Sequence, residues 1–385
     1  MNEFSQAQLT SSDSHRSASA LRYARSATFD EPLELELGAR LPSVTVAYET
    51  YGELSPARDN AVLICHALSG DSHVARHTGH DDPGWWEAMV GPGKAIDTGR
   101  CFVICPNVLG GCRGTTGPGS INPATHRRYA AQFPPITVAD TVDVQRRLID
   151  SLGIENLMAV IGGSMGGQQA IAWAVRYPQR VRDCIAIATS SRLTSQALAF
   201  DVIGRNAIRS DPNFNGGDYY DLPQRPFVGL ALARMIAHVT YLSHDAMATK
   251  FDVNRTQPHS ITTQFEKCFS VGSYLAYQAD RFVERFDANS YLVLSLMMDQ
   301  FDLERAGTLL RKSLAPAQCR WLVISFTSDW LFPPAQSQQI VDALRENAQP
   351  VSYLNVPTSS GHDAFLLPDS LDLYGEHVRN FLQGV

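Results

Sequence analysis

Two textures of apolar spacing alternate along the chain. From about Phe29 to Ser191, short β-branched apolar runs are separated by longer stretches of helical spacing. The runs Thr45–Tyr48, Ala61–Cys65, Phe102–Pro106, Met158–Ile161 and Cys184–Ala188 read as strands. Val138–Leu152 opens on Asp140 and Asp143, spaces Val142, Leu148 and Ile149 along one face, and meets Gly153, the pattern of a helix. Strands interleaved with helices predict βα units around a mostly parallel central sheet, with helices on both faces. From about Arg192 to Ser313 the β-branched runs vanish and Ala, Leu, Met and Arg dominate, which predicts a helical insertion. Strand texture returns at Trp321–Ser325 and Val351–Leu354, and His377–Phe381 closes on a helix. The expected organisation is an α/β core over 28–191 and 314–385, interrupted by a helical cap over 192–313. Residues 1–27 are polar and Ser-rich without an apolar stretch, so they read as a disordered leader and not as a secretory signal.

Composition narrows the function classes. The chain has 385 residues, 44% of them hydrophobic, enough for a large buried core. Its net charge of −7 repels phosphate backbones and anionic lipid, so neither nucleic acid nor a membrane surface is an expected partner. No run reaches the roughly 18 apolar residues that span a bilayer. The seven cysteines contain no C-x-x-C pair, and several sit inside apolar runs, as at Cys65, Cys105 and Cys184. They read as free core thiols of a cytoplasmic protein.

The strongest local signal is Gly162-Gly163-Ser164-Met165-Gly166, preceded by the strand Met158–Ile161 and followed by helical spacing. A G-x-S-x-G turn between strand and helix is the nucleophile elbow of α/β-hydrolases. Glycines on both sides of Ser164 remove side chains that would collide with neighbouring backbone, leaving the hydroxyl exposed at the strand's carboxyl end. A serine hydroxyl needs a base, and the base an orienting acid, in the order Ser, Asp or Glu, His. Asp329 follows the strand Trp321–Ser325, and His362 follows Val351–Leu354, both at carboxyl ends where open α/β sheets place ligands. Ser164, Asp329 and His362 are therefore the expected triad. Two backbone donors for an oxyanion are expected at Met165 and at Leu68, in the loop His66–Gly70.

With these residues assembled, the chain resembles the homoserine O-acyltransferase family of the α/β-hydrolase fold, from about Phe29 onward. The likeness is carried by His66-Ala67-Leu68-Ser69-Gly70-Asp71-Ser72-His73, Gly84-Trp85-Trp86 with Gly91-Pro92-Gly93-Lys94, and the glycine-rich run Gly110–Pro118. It continues through Ala233-Arg234-Met235-Ile236, Thr240-Tyr241-Leu242-Ser243, Ser328-Asp329-Trp330 and Gly361-His362-Asp363-Ala364-Phe365. The resemblance implies that Arg234 and Asp363 contact the amino-acid substrate, with Tyr241 nearby. A guanidinium fork suits the substrate carboxylate, and a carboxylate suits its ammonium. It also implies acyl transfer from acetyl-CoA, a co-substrate, to the side-chain hydroxyl of homoserine through an acyl-serine, in methionine biosynthesis. No bound cofactor is expected, and a homodimer associating through the cap is implied. Succinyl-using relatives look to carry arginine two residues after the triad aspartate. Leu331 stands there and cannot pair a second carboxylate, which favours acetyl.

Alternative readings stay open at this point. The acyl group could be succinyl, or the acceptor serine. An esterase or thioesterase would use the same triad with water, and a non-catalytic binding protein could share the fold. His66, His73, His77 and His80 with Asp71, Asp81 and Asp82 form a cluster that could ligate a metal, but the glycines and Pro83 favour a polar loop, so no metal is expected. The Gly110–Gly119 run lacks the G-K-[ST] ending of a P-loop and reads as tight turns or a loop near the acyl-CoA entrance.

Overall fold

A computed structural model describes residues 21–252 and 269–384. Eight strands form one sheet: β1 (Arg25–Phe29), β2 (Val44–Tyr51), β3 (Ala61–Cys65), β4 (Phe102–Pro106), β5 (Leu157–Gly163), β6 (Val181–Ile187), β7 (Arg320–Phe326) and β8 (Val351–Val356). Their order across the sheet is β1-β2-β4-β3-β5-β6-β7-β8. The pairs β1/β2 and β2/β4 are antiparallel, and every later pairing is parallel.

Alternate residues of the central strands feed two cores, one on each face. In β3, Leu63 and Cys65 join one cluster and Val62 and Ile64 the other. In β5, Val160 and Ile161 divide in the same way. This explains why the runs look continuously apolar instead of alternating: both faces of a parallel sheet are covered.

Ten α-helices lie among the described residues. After β4 comes α1 (Val138–Ser151), opened by a capping box between Thr137 and Asp140, and α2 (Met165–Arg176) follows β5. Between β6 and β7 the described chain forms α3 (Ser195–Arg209), α4 (Phe227–Tyr241), α5 (His244–Met247), α6 (Ser270–Val283), α7 (Ala288–Asp299) and α8 (Leu310–Leu314). The segment's ends are pinned together by a bridge between Arg192 and Asp302 and by an Arg192–Glu304 ion pair at 3.2 Å. Last come α9 (Pro334–Glu346) and α10 (Pro368–Gln383).

Two expectations need correction. The polar leader was expected to reach residue 27, yet Arg25–Phe29 pairs residue for residue with Val44–Tyr48. An edge strand with only Ala27 and Phe29 half-buried has too few apolar positions to read as one. Residues 1–20 of that leader lie outside the described residues. The closing helix expected at His377–Phe381 starts at Pro368, because proline is tolerated in a first helical turn.

Candidate active site

The turn from β5 into α2 places Ser164 at φ 57° and ψ −126°, a conformation that costs a non-glycine residue about 1–3 kcal/mol. Its surroundings hold it there. The Ser164 amide donates to the Ile187 carbonyl at 3.0 Å, and the Thr189 hydroxyl donates to the Ser164 carbonyl at 2.9 Å. A Cβ on Gly162 would sit 2.1 Å from the Gly166 carbonyl oxygen, and one on Gly166 would sit 2.0 Å from that of Cys65. No other residue fits at either position.

His362 follows Gly361, whose φ of 76° and close approach to the backbone of Tyr241 and Ser243 exclude a side chain. The imidazole is 3% exposed and stacks on Phe332 at 5.0 Å between centroids. Its Nδ1 donates to Asp329 Oδ2 at 2.7 Å. The other Asp329 oxygen accepts the backbone amides of Leu331 at 3.0 Å and Phe332 at 2.9 Å. With its proton on Nδ1, the ring keeps Nε2 as an acceptor, the state a general base needs.

Ser164 opens onto a cavity of about 40 Å³, lined also by Leu68, Tyr241, Leu331, Phe332 and Asp201. Phe332 and Tyr241 flank His362 as well, so the imidazole and the hydroxyl share two neighbours. Met165 begins α2, where first-turn amides have no partner within the helix. The Leu68 loop is held by His66. His66 Nε2 accepts from the Val108 amide at 3.0 Å, so Nδ1 carries the hydrogen and donates to the Ala67 carbonyl at 2.8 Å. Burial pushes the His66 pKa down, in keeping with a neutral ring.

Arg234 projects from α4, is 9% exposed, and lies over Phe282 at 4.6 Å and Tyr241 at 5.5 Å. Its Nε is buried without a hydrogen-bond partner among the described residues. Burial holds the Asp363 carboxyl above the usual range, against the pull of His362 and Arg234. Burial likewise raises the Tyr241 phenol, which Arg234 opposes and Asp363 reinforces. Beside them His238 is held down at about 3 by burial and by the cations Arg234, Lys250 and Arg285, and it stays neutral. Among the described residues Arg234 forms no ion pair, and a substrate carboxylate would supply one.

One group escaped the sequence, and of another only the histidines were legible there. On α3, Asp201 meets Asp299 from α7, and Asp299 Oδ2 pairs with Arg205 Nη2 at 2.5 Å. Among the described residues Asp299 Oδ1 is buried with no donor unless Asp201 keeps its proton, and burial followed by the Asp299 contact raises the Asp201 pKa well above normal. Asp201 and Arg205, four apart on one helix face, were the available signal. The second group centres on Glu49, which is fully buried and accepts at Oε2 from Tyr51 at 2.8 Å, His73 Nδ1 at 2.9 Å and His77 Nε2 at 2.7 Å. His73 Nε2 reaches the Asp82 carbonyl at 2.9 Å. Both partners of that ring can only accept, so His73 is an imidazolium, and the Glu49 bond pushes its pKa up to about 9. Of the loop cluster, His66 is engaged elsewhere, and Glu49 arrives from β2, distant in sequence. The Gly110–Gly119 run contributes to a cleft of about 660 Å³ with Arg128, Tyr220 and Arg225.

A family model described as alpha/beta hydrolase fold matches residues 60–369. The chain belongs to the α/β-hydrolase family. It is 52% identical over 361 residues to a homoserine O-succinyltransferase of Alkalilimnicola ehrlichii, covering 93% of this chain and 94% of that one. It is 50% identical over 357 residues to a homoserine O-acetyltransferase of Methanococcoides burtonii, covering 92% and 72%. A bifunctional methionine biosynthesis protein MetXA/MetW of Rhodopirellula baltica is 53% identical over all 385 residues, which span 62% of that relative's length. Among solved structures, homoserine O-acetyltransferase from Bacillus anthracis superposes with a TM-score of 0.85 at 31% identity, covering 94% of this chain and 98% of its own. Esterase E22 gives 0.82 at 31% identity, covering 93% and 100%. Within the hydrolase fold, the chain is a member of the homoserine O-acyltransferases.

Among the described residues, no helix is long and apolar enough to cross a membrane.

Proposed function

We propose that the chain moves an acetyl group from acetyl-CoA to the hydroxyl of L-homoserine by way of an acetyl-Ser164, as a step of methionine biosynthesis. The observation that carries this reading is the Asp329–His362 bond of 2.7 Å, whose imidazole shares the neighbours Tyr241 and Phe332 with a strained serine, beside a buried arginine that lies over Tyr241 and whose Nε has no hydrogen-bond partner among the described residues. His362 Nε2 takes the Ser164 proton as Oγ attacks the thioester carbonyl. The amides of Leu68 and Met165 stabilise the tetrahedral oxyanion. The intermediate then collapses, the carbon–sulfur bond breaks, and the CoA thiolate leaves with the proton from His362. Homoserine enters with its carboxylate on Arg234 and its ammonium toward Asp363, near Tyr241. His362 deprotonates its hydroxyl, which attacks the acetyl-serine, and the same proton returns to Ser164 Oγ.

Arg234 and Asp363 separate this reading from that of an esterase, which needs no seat for an amino acid. Acetyl is favoured over succinyl because Leu331 lines the cavity with an apolar side chain. Nothing in the cycle calls for a bound cofactor. CoA release measured with and without homoserine tests the reading. Turnover that homoserine stimulates supports it, and turnover that is equal in water alone makes the chain a thioesterase.

A second copy of the chain is the proposed partner. Val202 and Ile203 on α3 and Phe227, Val228 and Leu232 on α4 are exposed apolar residues of the cap, more than isolated surface positions require. Sedimentation equilibrium distinguishes dimer from monomer. Free thiols at Cys65, Cys105 and Cys184, all buried, suit a reducing cytoplasm, which fractionation of the source cells checks.

A further inference from the structure

Arg285 stands in the turn between α6 and α7, and it reaches out of the cap to the loop that carries Leu68. Its Nη1 donates to the Ser69 carbonyl at 2.8 Å. Its own backbone carbonyl is held from a second core loop, accepting from Arg113 Nε at 3.3 Å and Cys112 Sγ at 3.7 Å. The guanidinium also lies over Phe282 at 5.4 Å, on the ring that Arg234 contacts.

A trans peptide is planar, with its C=O and N–H pointing in opposite directions. The Ser69 carbonyl and the Gly70 amide share one such plane, so a donor gripping Ser69 O fixes where the Gly70 N–H points. That amide donates to the Ala67 carbonyl at 2.9 Å. The Ala67 carbonyl in turn shares a plane with the Leu68 amide, so donors on Ala67 O aim the Leu68 N–H the opposite way. His66 Nδ1 adds its own donation to the same oxygen at 2.8 Å. Two rigid planes therefore connect the Arg285 guanidinium to the Leu68 N–H, and Leu68 lines the Ser164 cavity.

We propose that Arg285 is a positioning residue for the oxyanion hole, gripping Ser69 so that the Leu68 amide meets the tetrahedral intermediate on Ser164. The inference rests on acyl transfer through Ser164. The cost of placing this cation is visible: burial and the neighbouring Arg234 lower the Arg285 pKa to about 10, with Asp71 as the opposing charge. The group remains cationic at neutral pH. The arrangement also makes the cap's position a condition for chemistry in the core, because an Arg285 drawn away with α6 and α7 releases the loop.

The test compares Arg285→Gln and Arg285→Lys with the parent chain. The readouts are the rate of the first CoA release from acetyl-CoA, kcat and KM for homoserine, and thermal melting. Outright loss of one oxyanion donor costs about 10²–10³ in rate, and loosening one costs less, about 10–100-fold in first CoA release for Arg285→Gln. KM for homoserine stays within about twofold, and lysine, which keeps a cationic donor of longer reach than the glutamine amide, recovers part of the rate. Wild-type CoA release in Arg285→Gln overturns the proposal. So does a loss confined to the homoserine KM, which would make Arg285 a substrate contact, and so does a loss shared equally by lysine that follows the melting temperature. A parent chain that forms no acyl-enzyme at all defeats the underlying reading instead, so the two failures are distinct.

Discussion

Asp329 and His362 are joined in a way that leaves the aspartate no freedom. One oxygen is committed to the amides of Leu331 and Phe332, so the other must face the imidazole. In Asp329→Asn the amide oxygen must stay with the two backbone donors, which turns the NH₂ toward His362 Nδ1. That forces the hydrogen onto Nε2, the wrong tautomer for accepting a proton from Ser164. The same substitution in a serine protease triad lowers kcat about 10⁴-fold, and a similar loss is expected here with folding preserved. Steady-state kinetics with circular dichroism checks this, and a loss below about tenfold would show that His362 does not depend on Asp329 for its tautomer.

Acyl choice is predicted to turn on Leu331. Relatives named for succinyl and for acetyl transfer are 52% and 50% identical to this chain, so overall likeness does not decide the donor. The small cavity favours acetyl, because a desolvated second carboxylate finds no cation among the described residues that line it. Leu331→Arg supplies one. The ratio of kcat/KM for succinyl-CoA to that for acetyl-CoA is expected to rise at least about tenfold, the value of roughly one charge-assisted hydrogen bond. An unchanged ratio rejects the assignment of this position.

The Asp201–Asp299 contact gives stability a dependence on pH. Asp201 keeps its proton in the fold, where burial and Asp299 raise its pKa, while in the unfolded chain it ionises near the ordinary value of about 3.9. The folded state then binds the extra proton, so its contribution falls as pH rises above that value. Asp201→Asn removes the penalty. Melting temperatures of the two proteins should coincide near pH 4, with the variant higher at pH 8. A gap of equal size at both pH values would mean that Asp201 is ionised in the fold.

The Glu49 cluster predicts both limbs, an acid one from its carboxylate and an alkaline one from His73. Burial works against the Glu49 charge, but hydrogen bonds from His73, His77 and Tyr51 outweigh it and hold the carboxyl below the usual range. Its contribution is present above the unfolded value and lost as pH falls. His73, raised to about 9, contributes fully below its unfolded value of about 6.5 and loses the contribution as pH climbs through about 9. Calorimetry from pH 6 to 10 should show melting temperature dropping in the parent chain and staying flatter in His73→Phe. Parallel curves would remove His73 from the account.

The sequence made the parallel half of the sheet and the serine turn legible, because both leave local marks: continuous β-branched runs at β3 and β5, and glycines at 162 and 166 where a Cβ would meet backbone at about 2 Å. The expected triad was read from chain order, and the structure joins its Asp329 and His362. Arg234 and Asp363 came only through resemblance, since an arginine on a helix looks the same whether or not its Nε is orphaned. What stayed hidden depends on pairs far apart in the chain. Glu49 meets His73 and His77 across a strand and a loop, Asp201 meets Asp299 across two cap helices, and Arg285 reaches Ser69 from another layer. No spacing rule records such encounters. The β1 strand was missed for a different reason, having a single neighbour and few buried positions to mark it.

Intact-protein mass spectrometry after exposure to acetyl-CoA without homoserine bears most directly on the reaction at the serine turn. The chain should gain one acetyl group on Ser164, lose it when homoserine is added, and gain none as Ser164→Ala. An unmodified parent chain that still produces acetylhomoserine once both substrates are present would contradict a covalent carrier.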